Sequence, residues 1–425
     1  MRWRPGGLWG NRDFVKLWVG QTVSELGSGI TSQALPFTAL LVLAATPAQM
    51  GLLAAVAQLP VLLFSLLAGV WVDRLRRRSL LIAADLGRAL LLGSVPLAWA
   101  LGLLRLEQLF LVAGLVGILS LFFNVAYRSY LPVLVKRDQL VEGNSKLSAS
   151  GSVADMGGVA LGGILVQWLS APIAILFDVV SFVCSALAVG FIRTPEPPKV
   201  VEEQENVRQE IAEGLRLVLG NRVLRALAGS SGTFAFFGNF FHALYVLYAV
   251  RELGIPPAIV GVLIGAGGVG AFVGALLVGR VTRRFGLGAT LMGTLIFEAL
   301  VQMPILLAGG SLPVSIAILM ATQLVGDVAI SIYLISEVSL RQAIVPDRLL
   351  GRANASTGFL VGGLGPVGAL LGGALGEAIG ARWTLLIAML GMMGIAPLWL
   401  FFSPVRSMRE QPGAPQEQAL DLQSY

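Results

Sequence analysis

Twelve runs of about twenty mostly apolar residues follow one another along this 425-residue chain, parted by short polar turns and one long polar segment. A helix rises about 1.5 Å per residue, so a run of about 20 crosses the hydrocarbon of a bilayer. The runs lie near 14–42, 48–71, 80–103, 108–131, 149–168 and 172–192, then near 226–250, 258–279, 289–308, 313–337, 354–378 and 382–403. Hydrophobic residues make up 56% of the chain and charged residues only 13%, where a water-soluble protein carries about 25% charged. No water-soluble core absorbs that much apolar surface. The pattern predicts an all-α polytopic membrane protein with twelve transmembrane helices.

The one long polar segment, "RTPEPPKVVEEQENVRQEIAEGLRLVLGNR", opens on a proline-rich breaker, and its second part has the pattern of a short amphipathic surface helix. It divides the chain into an N-terminal six-helix bundle (1–193), a cytoplasmic linker (194–225), a C-terminal six-helix bundle (226–403) and a disordered cytoplasmic tail (404–425). With both termini inside, Arg105, Arg251 and Arg382 are the only basic residues outside, and Arg88 lies within a span. The rest of the 30 lysines and arginines fall on the inner side, as the positive-inside rule requires of a cell-membrane protein. This distribution also accounts for the net charge of +6 without nucleic acid, since no continuous basic face exists. The single cysteine, Cys184, sits in an apolar run, which excludes an intrachain disulfide and a cysteine metal cluster. The first apolar stretch runs well beyond the short core of a cleavable signal peptide.

The halves repeat at a constant offset of 210 residues. "GLLAAVAQLP" at Gly51 meets "GVLIGAGGVG" at Gly261, and Gly69 meets Gly279. "VKRDQLVEGN" at Val135 meets "VPDRLLGRAN" at Val345, while Gly158, Gly162 and Gly163 meet Gly368, Gly372 and Gly373. Chance matches in a glycine-rich chain would not hold one register over four landmarks, so the pattern implies duplication. Parallel six-span repeats place a binding site near the bilayer midplane, between the halves.

Twelve spans, this duplication, the long central loop and "GVWVDRLRRR" after the second span resemble the major facilitator superfamily. Gly69, Asp73, Arg74, Arg77 and Arg78 match its loop pattern Gly-x-x-x-Asp-Arg-x-Gly-Arg-Arg, with Arg76 replacing the inner glycine. The opening "NRDFVKLWVGQTVSELGSGI" is similar to the subgroup of macrolide exporters, the enterobactin exporter and the lysophospholipid transporter. The resemblance implies alternating access, often coupled to protons. Antiporters of this kind carry Gly-Pro-x-x-Gly-Gly in span five; here "GVALGG" has Val159 in the proline's place.

Gly69 and Asp73 are four apart and share a helix face, and Asp73 falls at a helix C-terminus, where the dipole disfavours an anion. The resemblance supplies compensation: this aspartate latches against the N-terminal end of span eleven, with Arg352 as a neighbour. Arg283 holds the position equivalent to Asp73, so the gate is asymmetric. Within the spans, Glu25, Asp178, Glu298 and Asp327 stand in apolar surroundings, with Asp155 beside the span-five glycines. A charge at mid-bilayer costs at least ~2.5–3.5 kcal/mol, so such acids face the bundle interior and commonly handle protons. His242, the only histidine, titrates near neutrality in solution and could join a relay, though a lone histidine in an aromatic helix is more often a packing residue.

His242 belongs to "FAFFGNFFHALYVLY", a concentration of rings in span seven. Phe236, Phe237, Phe240 and Tyr245, with Asn239, are candidates to line a cavity for large lipophilic or cationic substrates. Gln21, Asn124, Arg128 and Tyr333 are further candidates on spans one, four and ten. The glycine runs at Gly265 and Gly363 lack the Gly-Lys-Ser/Thr of a phosphate loop and read as helix-packing surfaces. No nucleophile–base set or metal cluster emerges, so an enzyme is not expected and no cofactor is called for. The expected function is proton-coupled export of lipophilic drugs or macrolide-like compounds by a monomer in the inner membrane. Partners are a small substrate, protons and lipid. The alternatives are a siderophore exporter, a lysophospholipid transporter or a ligand-binding membrane sensor.

Overall fold

The structure is a computed structural model that describes residues 7–196 and 207–410, without the side chains at 66, 67, 69, 70, 73, 74, 207–210 and 347. The described residues form fourteen α-helices and no strand. The first six are α1 (Arg12–Phe37), α2 (Pro47–Arg74), α3 (Arg77–Ala100), α4 (Leu106–Leu134), α5 (Leu140–Leu169) and α6 (Ala171–Gly190). A short helix, α7 (Val207–Gly220), precedes α8 (Arg222–Leu247), α9 (Pro257–Phe285), α10 (Leu287–Gln302), α11 (Leu312–Ile344), α12 (Asp347–Ile379), α13 (Ala381–Gly394) and α14 (Ala396–Phe401).

Eleven helical segments are long and apolar enough to cross a membrane. The first helix is not among them, because its 26 residues carry Gln21, Ser24, Glu25, Ser28, Thr31, Ser32 and Gln33. Its length matches a span, and its polarity reflects how much of its surface is enclosed by α5 and α6. The last span is broken at Ile395 because Pro397 has no N–H to continue the ladder of α13. A proline, Pro304, likewise ends α10 in a 3₁₀ turn over Met303–Leu307.

The chain divides into two compact units. Unit 1 comprises residues 1–46, 56–202 and 256–265; unit 2 comprises 47–55, 203–255 and 266–425. In unit 1, α1 packs chiefly against α5 and α6, and α3 against α4 and α6. In unit 2, α8 packs against α12 and α13, and α10 against α11. Lipid tails are as apolar as the helix surfaces, so close backbone approach rather than hydrophobic burial holds such bundles together. Glycines supply it: a Cβ on Gly29 would lie 2.9 Å from the Gly158 Cα, and one on Gly372 would lie 2.6 Å from the Phe240 Cα.

The 210-residue offset is reproduced in local geometry. Asn11 and Asn221 each cap their helix by accepting two backbone amides. Five-residue π turns follow α1 at Thr38–Val42 and α8 at Tyr248–Glu252. Pro36 lies inside α1 but its counterpart is Val246, so the proline does not cause the π turn. The Gln167 side chain accepts from the Ala258 amide at 3.1 Å within unit 1, and Glu377 accepts from the Ala48 amide at 3.2 Å within unit 2.

The segment after α6 ties down one end of unit 1. Glu196 accepts the Arg77 and Arg78 amides at 3.0 and 2.7 Å, capping α3, and the Arg78 guanidinium donates to the carbonyls of Val189 and Gly190. Asp13 accepts from the Arg193 and Thr194 amides, the Thr194 hydroxyl and Lys16. In unit 2 the matching task falls to residues expected to be a disordered tail. The Leu287 and Gly288 amides donate to the carbonyls of Arg409 and Met408 at 3.1 and 2.9 Å, and Val405 is fully buried. Residues 404–410 are therefore ordered, because the first amides of α10 need acceptors; 411–425 lie outside the described residues. The amphipathic helix expected in the central polar segment is α7, which sets Val218 into a cluster with Leu224, Ala228, Val345 and Ala353.

Candidate functional site

Both units bury ionisable side chains between apolar helices. Three of the acids share one arrangement. Gln21 Nε2 donates to Glu25 at 2.6 Å, Gln302 Nε2 to Glu298 at 3.2 Å, and Gln323 Nε2 to Asp327 at 2.5 Å. In each pair the amide stands one helical turn from the acid, the spacing that brings side chains face to face. Among the described residues none of the three acids has a salt-bridge partner. Glycines make room for them: a Cβ at Gly326 would meet the Gln302 amide at 2.9 Å, and one at Gly267 would collide with the Asp327 carboxylate.

Unit 1 holds a second arrangement. Asp178 on α6 is 1% exposed and accepts from Ser181 at 2.9 Å. Its carboxylate abuts the α1 backbone at Gly27, where a Cβ would lie 2.6 Å from Oδ1. Close by on α3, Arg88 forms an ion pair with Asp85. The Arg88 guanidinium lies between two rings, 4.2 Å from the centroid of Phe123 and 4.1 Å from that of Phe182. Asp85 is absent from the sequence candidates, although an acid and a base three apart in an apolar run are a legible signal. Glu337, the last residue of the expected tenth span, was missed too; it pairs with Arg341 at 3.0 Å near the end of α11.

The remaining candidates separate into exposed and packed groups. Asp155, Asn124, Arg128 and His242 are exposed. Phe236, Phe237 and Phe240 cluster with centroids 5.0–5.5 Å apart. These residues press on glycines of α12 and α13: the Phe236 backbone on Gly368, Phe240 on Gly372 and the Phe237 ring on Gly391. Asn239 donates to the Ala235 carbonyl at 2.8 Å, and Tyr245 is buried against Phe241. Tyr333 sits in the core of unit 2, its hydroxyl bonded to Ser231 at 2.9 Å and Ser230 at 3.3 Å.

Of the gate residues, Gly69, Asp73 and Arg74 lie in α2, but the surroundings of their side chains fall outside the described residues. Arg77 and Arg78 begin α3 on the Glu196 carboxylate. Arg352 on α12 forms an ion pair with Glu213 of α7 within unit 2.

Residues 9–423 match the major facilitator family described as transmembrane secretion effector. The chain belongs to that family. This transporter is 28% identical over 394 residues to the multidrug efflux pump Tap of Mycolicibacterium fortuitum, covering 90% of its own length and 93% of the relative's. It is 25% identical over 377 residues to macrolide efflux protein A of Streptococcus pyogenes, covering 88% and 92%. Its fold matches a bacterial homologue of the iron transporter ferroportin at a TM-score of 0.74 and 18% identity, over 92% and 98% of the two chains. It also matches the nucleoside transporter NupG at 0.78 and 13%, over 92% and 99%. The protein is thus a multi-pass membrane efflux transporter for a small substrate, and not an enzyme.

Proposed function

We propose that this transporter exports lipophilic small molecules, macrolide-like compounds among them, in exchange for protons. It would work by alternating access as a monomer in the inner membrane, with both termini cytoplasmic. The carboxyl–glutamine pairs carry the reading. An ionised carboxyl only accepts hydrogen bonds, whereas a protonated one also donates. A primary amide answers both states, since its NH₂ donates to the carboxylate and its C=O accepts from the acid. A lysine or arginine in the same place would favour the ionised form alone. Glu25, Glu298 and Asp327 therefore keep a partner whether or not they hold a proton. The substrate class rests on the Tap and macrolide efflux relatives. The Asp73 latch belongs to the same proposal, with Asp73→Asn expected to insert normally and transport slowly.

Efflux of erythromycin from proteoliposomes under an imposed pH gradient tests the coupling. Glu25→Gln, Glu298→Gln and Asp327→Asn should include at least one variant that loses gradient-driven efflux yet keeps downhill exchange. Full gradient-driven efflux in all three would remove these acids from the mechanism.

A further inference from the structure

The Asp85–Arg88–Asp178 cluster has one more acid than base. Asp85 is 0% exposed, Asp178 1% and Arg88 5%, so all three are buried among α1, α3, α4 and α6. The guanidinium remains protonated in any protein environment. With both aspartates ionised, the buried cluster would hold a net negative charge, which the low-dielectric interior strongly disfavours. The groups facing it do not supply the missing charge. From α1 comes Glu25, an acid already bonded to Gln21; from α4 comes Tyr127, a phenol within reach of Glu25; Asp155 on α5 is another acid and is exposed. Arg88 is the one cation within electrostatic reach of Asp85, Asp178 and Glu25 among the described residues.

We infer that Asp178 is a proton-binding site inside unit 1, with Arg88 as the group that senses its occupancy. Asp85 holds the direct ion pair with Arg88, so the proton belongs on Asp178, whose direct partners are neutral hydroxyls, those of Thr31 on α1 and Ser181. Loaded, the cluster is a neutral acid beside a neutral ion pair. When the proton leaves, Asp178 becomes a second anion competing for a single guanidinium. Arg88 can answer without leaving its place, because Phe123 and Phe182 hold its plane from both faces while Nε has no partner and Nη1 only a 3.5 Å contact to Ser120. A shift of the Asp178 carboxylate towards α1 meets Gly27, which has no side chain to cushion it. Proton occupancy is thereby transmitted to α1 as well as α3. The inference deepens the proton-exchange reading above by naming a site that the glutamine-paired acids do not include.

Infrared difference spectroscopy of the full-length protein in lipid vesicles, titrated with pH, detects protonated carboxyls without any substrate. Wild type should show protonated-carboxyl stretching bands that titrate, those of Glu25, Glu298 and Asp327 among them, and Asp178→Asn should remove one band of the set. Asp85→Asn should remove the same band, by freeing Arg88 to pair with Asp178. Each variant is first checked for a monodisperse folded peak, and Asp178→Glu, which keeps the carboxyl, should retain a shifted band. A set of bands unchanged in folded Asp178→Asn would overturn the inference. Erythromycin efflux in the same vesicles separates the two claims. A wild type indifferent to the pH gradient defeats proton exchange, whereas a wild type that responds alongside an Asp178→Asn that responds equally defeats only this site.

Discussion

Ser170 has φ 94° and ψ 154°, a backbone region essentially reserved for glycine and costing a side-chain-bearing residue about 1–3 kcal/mol. Its counterpart 210 residues on is Gly380, at φ 88° and ψ 154°. Ser170→Gly should therefore raise the thermal midpoint in detergent, worth roughly 1 kcal/mol; a lowered midpoint would show that the hydroxyl matters more than the strain. Asp13 makes a pH-dependent contribution. Burial alone would push its carboxyl up, but hydrogen bonds from Lys16, the Thr194 hydroxyl and the Thr194 and Arg193 amides outweigh this and hold it at about 2. A depressed carboxyl stabilises the folded state above its unfolded value and loses that contribution as it becomes protonated. The stability supplied by this clasp should be complete above about pH 4 and fade towards pH 2. Thermal midpoints of wild type and Asp13→Asn should differ at neutral pH and converge on acidification; a gap independent of pH would mean that the carboxylate charge contributes nothing.

At the scale of elements, the glycines of α5 and α12 are not equivalent to glycines elsewhere. A Cβ on Gly158 would run into the Leu26 carbonyl of α1, and one on Gly368 into the Phe236 carbonyl of α8, so backbone would have to move. Overpacking of that kind costs about 1–3 kcal/mol. Gly93 on α3 meets only Val179 side-chain carbons, at 3.8 and 3.9 Å. Thermal unfolding should show Gly158→Ala and Gly368→Ala destabilised and Gly93→Ala unchanged or improved. Equal effects at all three would contradict the packing account. The span pattern, the repeat and these tight glycines were all legible in the sequence, because each depends on a regular spacing of apolar or small residues. The interruption at Ile395 and the ordered residues 404–410 were not. Both depend on where backbone amides find acceptors, which spacing does not record.

For the whole molecule, two units share backbone geometry but not charge. Arg88 and Glu298 occupy equivalent positions on α3 and α10, as Asp73 and Arg283 do on α2 and α9. Duplication preserved the scaffold while the ionisable groups diverged, which is how a symmetric fold acquires different tasks in its halves. The acids at Glu25, Asp178, Glu298 and Asp327 were visible in sequence because charges inside apolar runs stand out. Their partners were harder to see: Gln21, Gln302 and Gln323 are neutral, and Asp85 cancels against Arg88 within one turn. Only side-chain placement shows that three of these acids face an amide instead of a cation. The most direct test of the account is flux itself. Purified protein in proteoliposomes, with the membrane potential clamped, should move erythromycin against its gradient when a pH gradient of the correct sign is imposed, and alkalinise the compartment that supplies the protons. Uphill erythromycin movement with no accompanying proton flux, or none under any pH gradient, would contradict it.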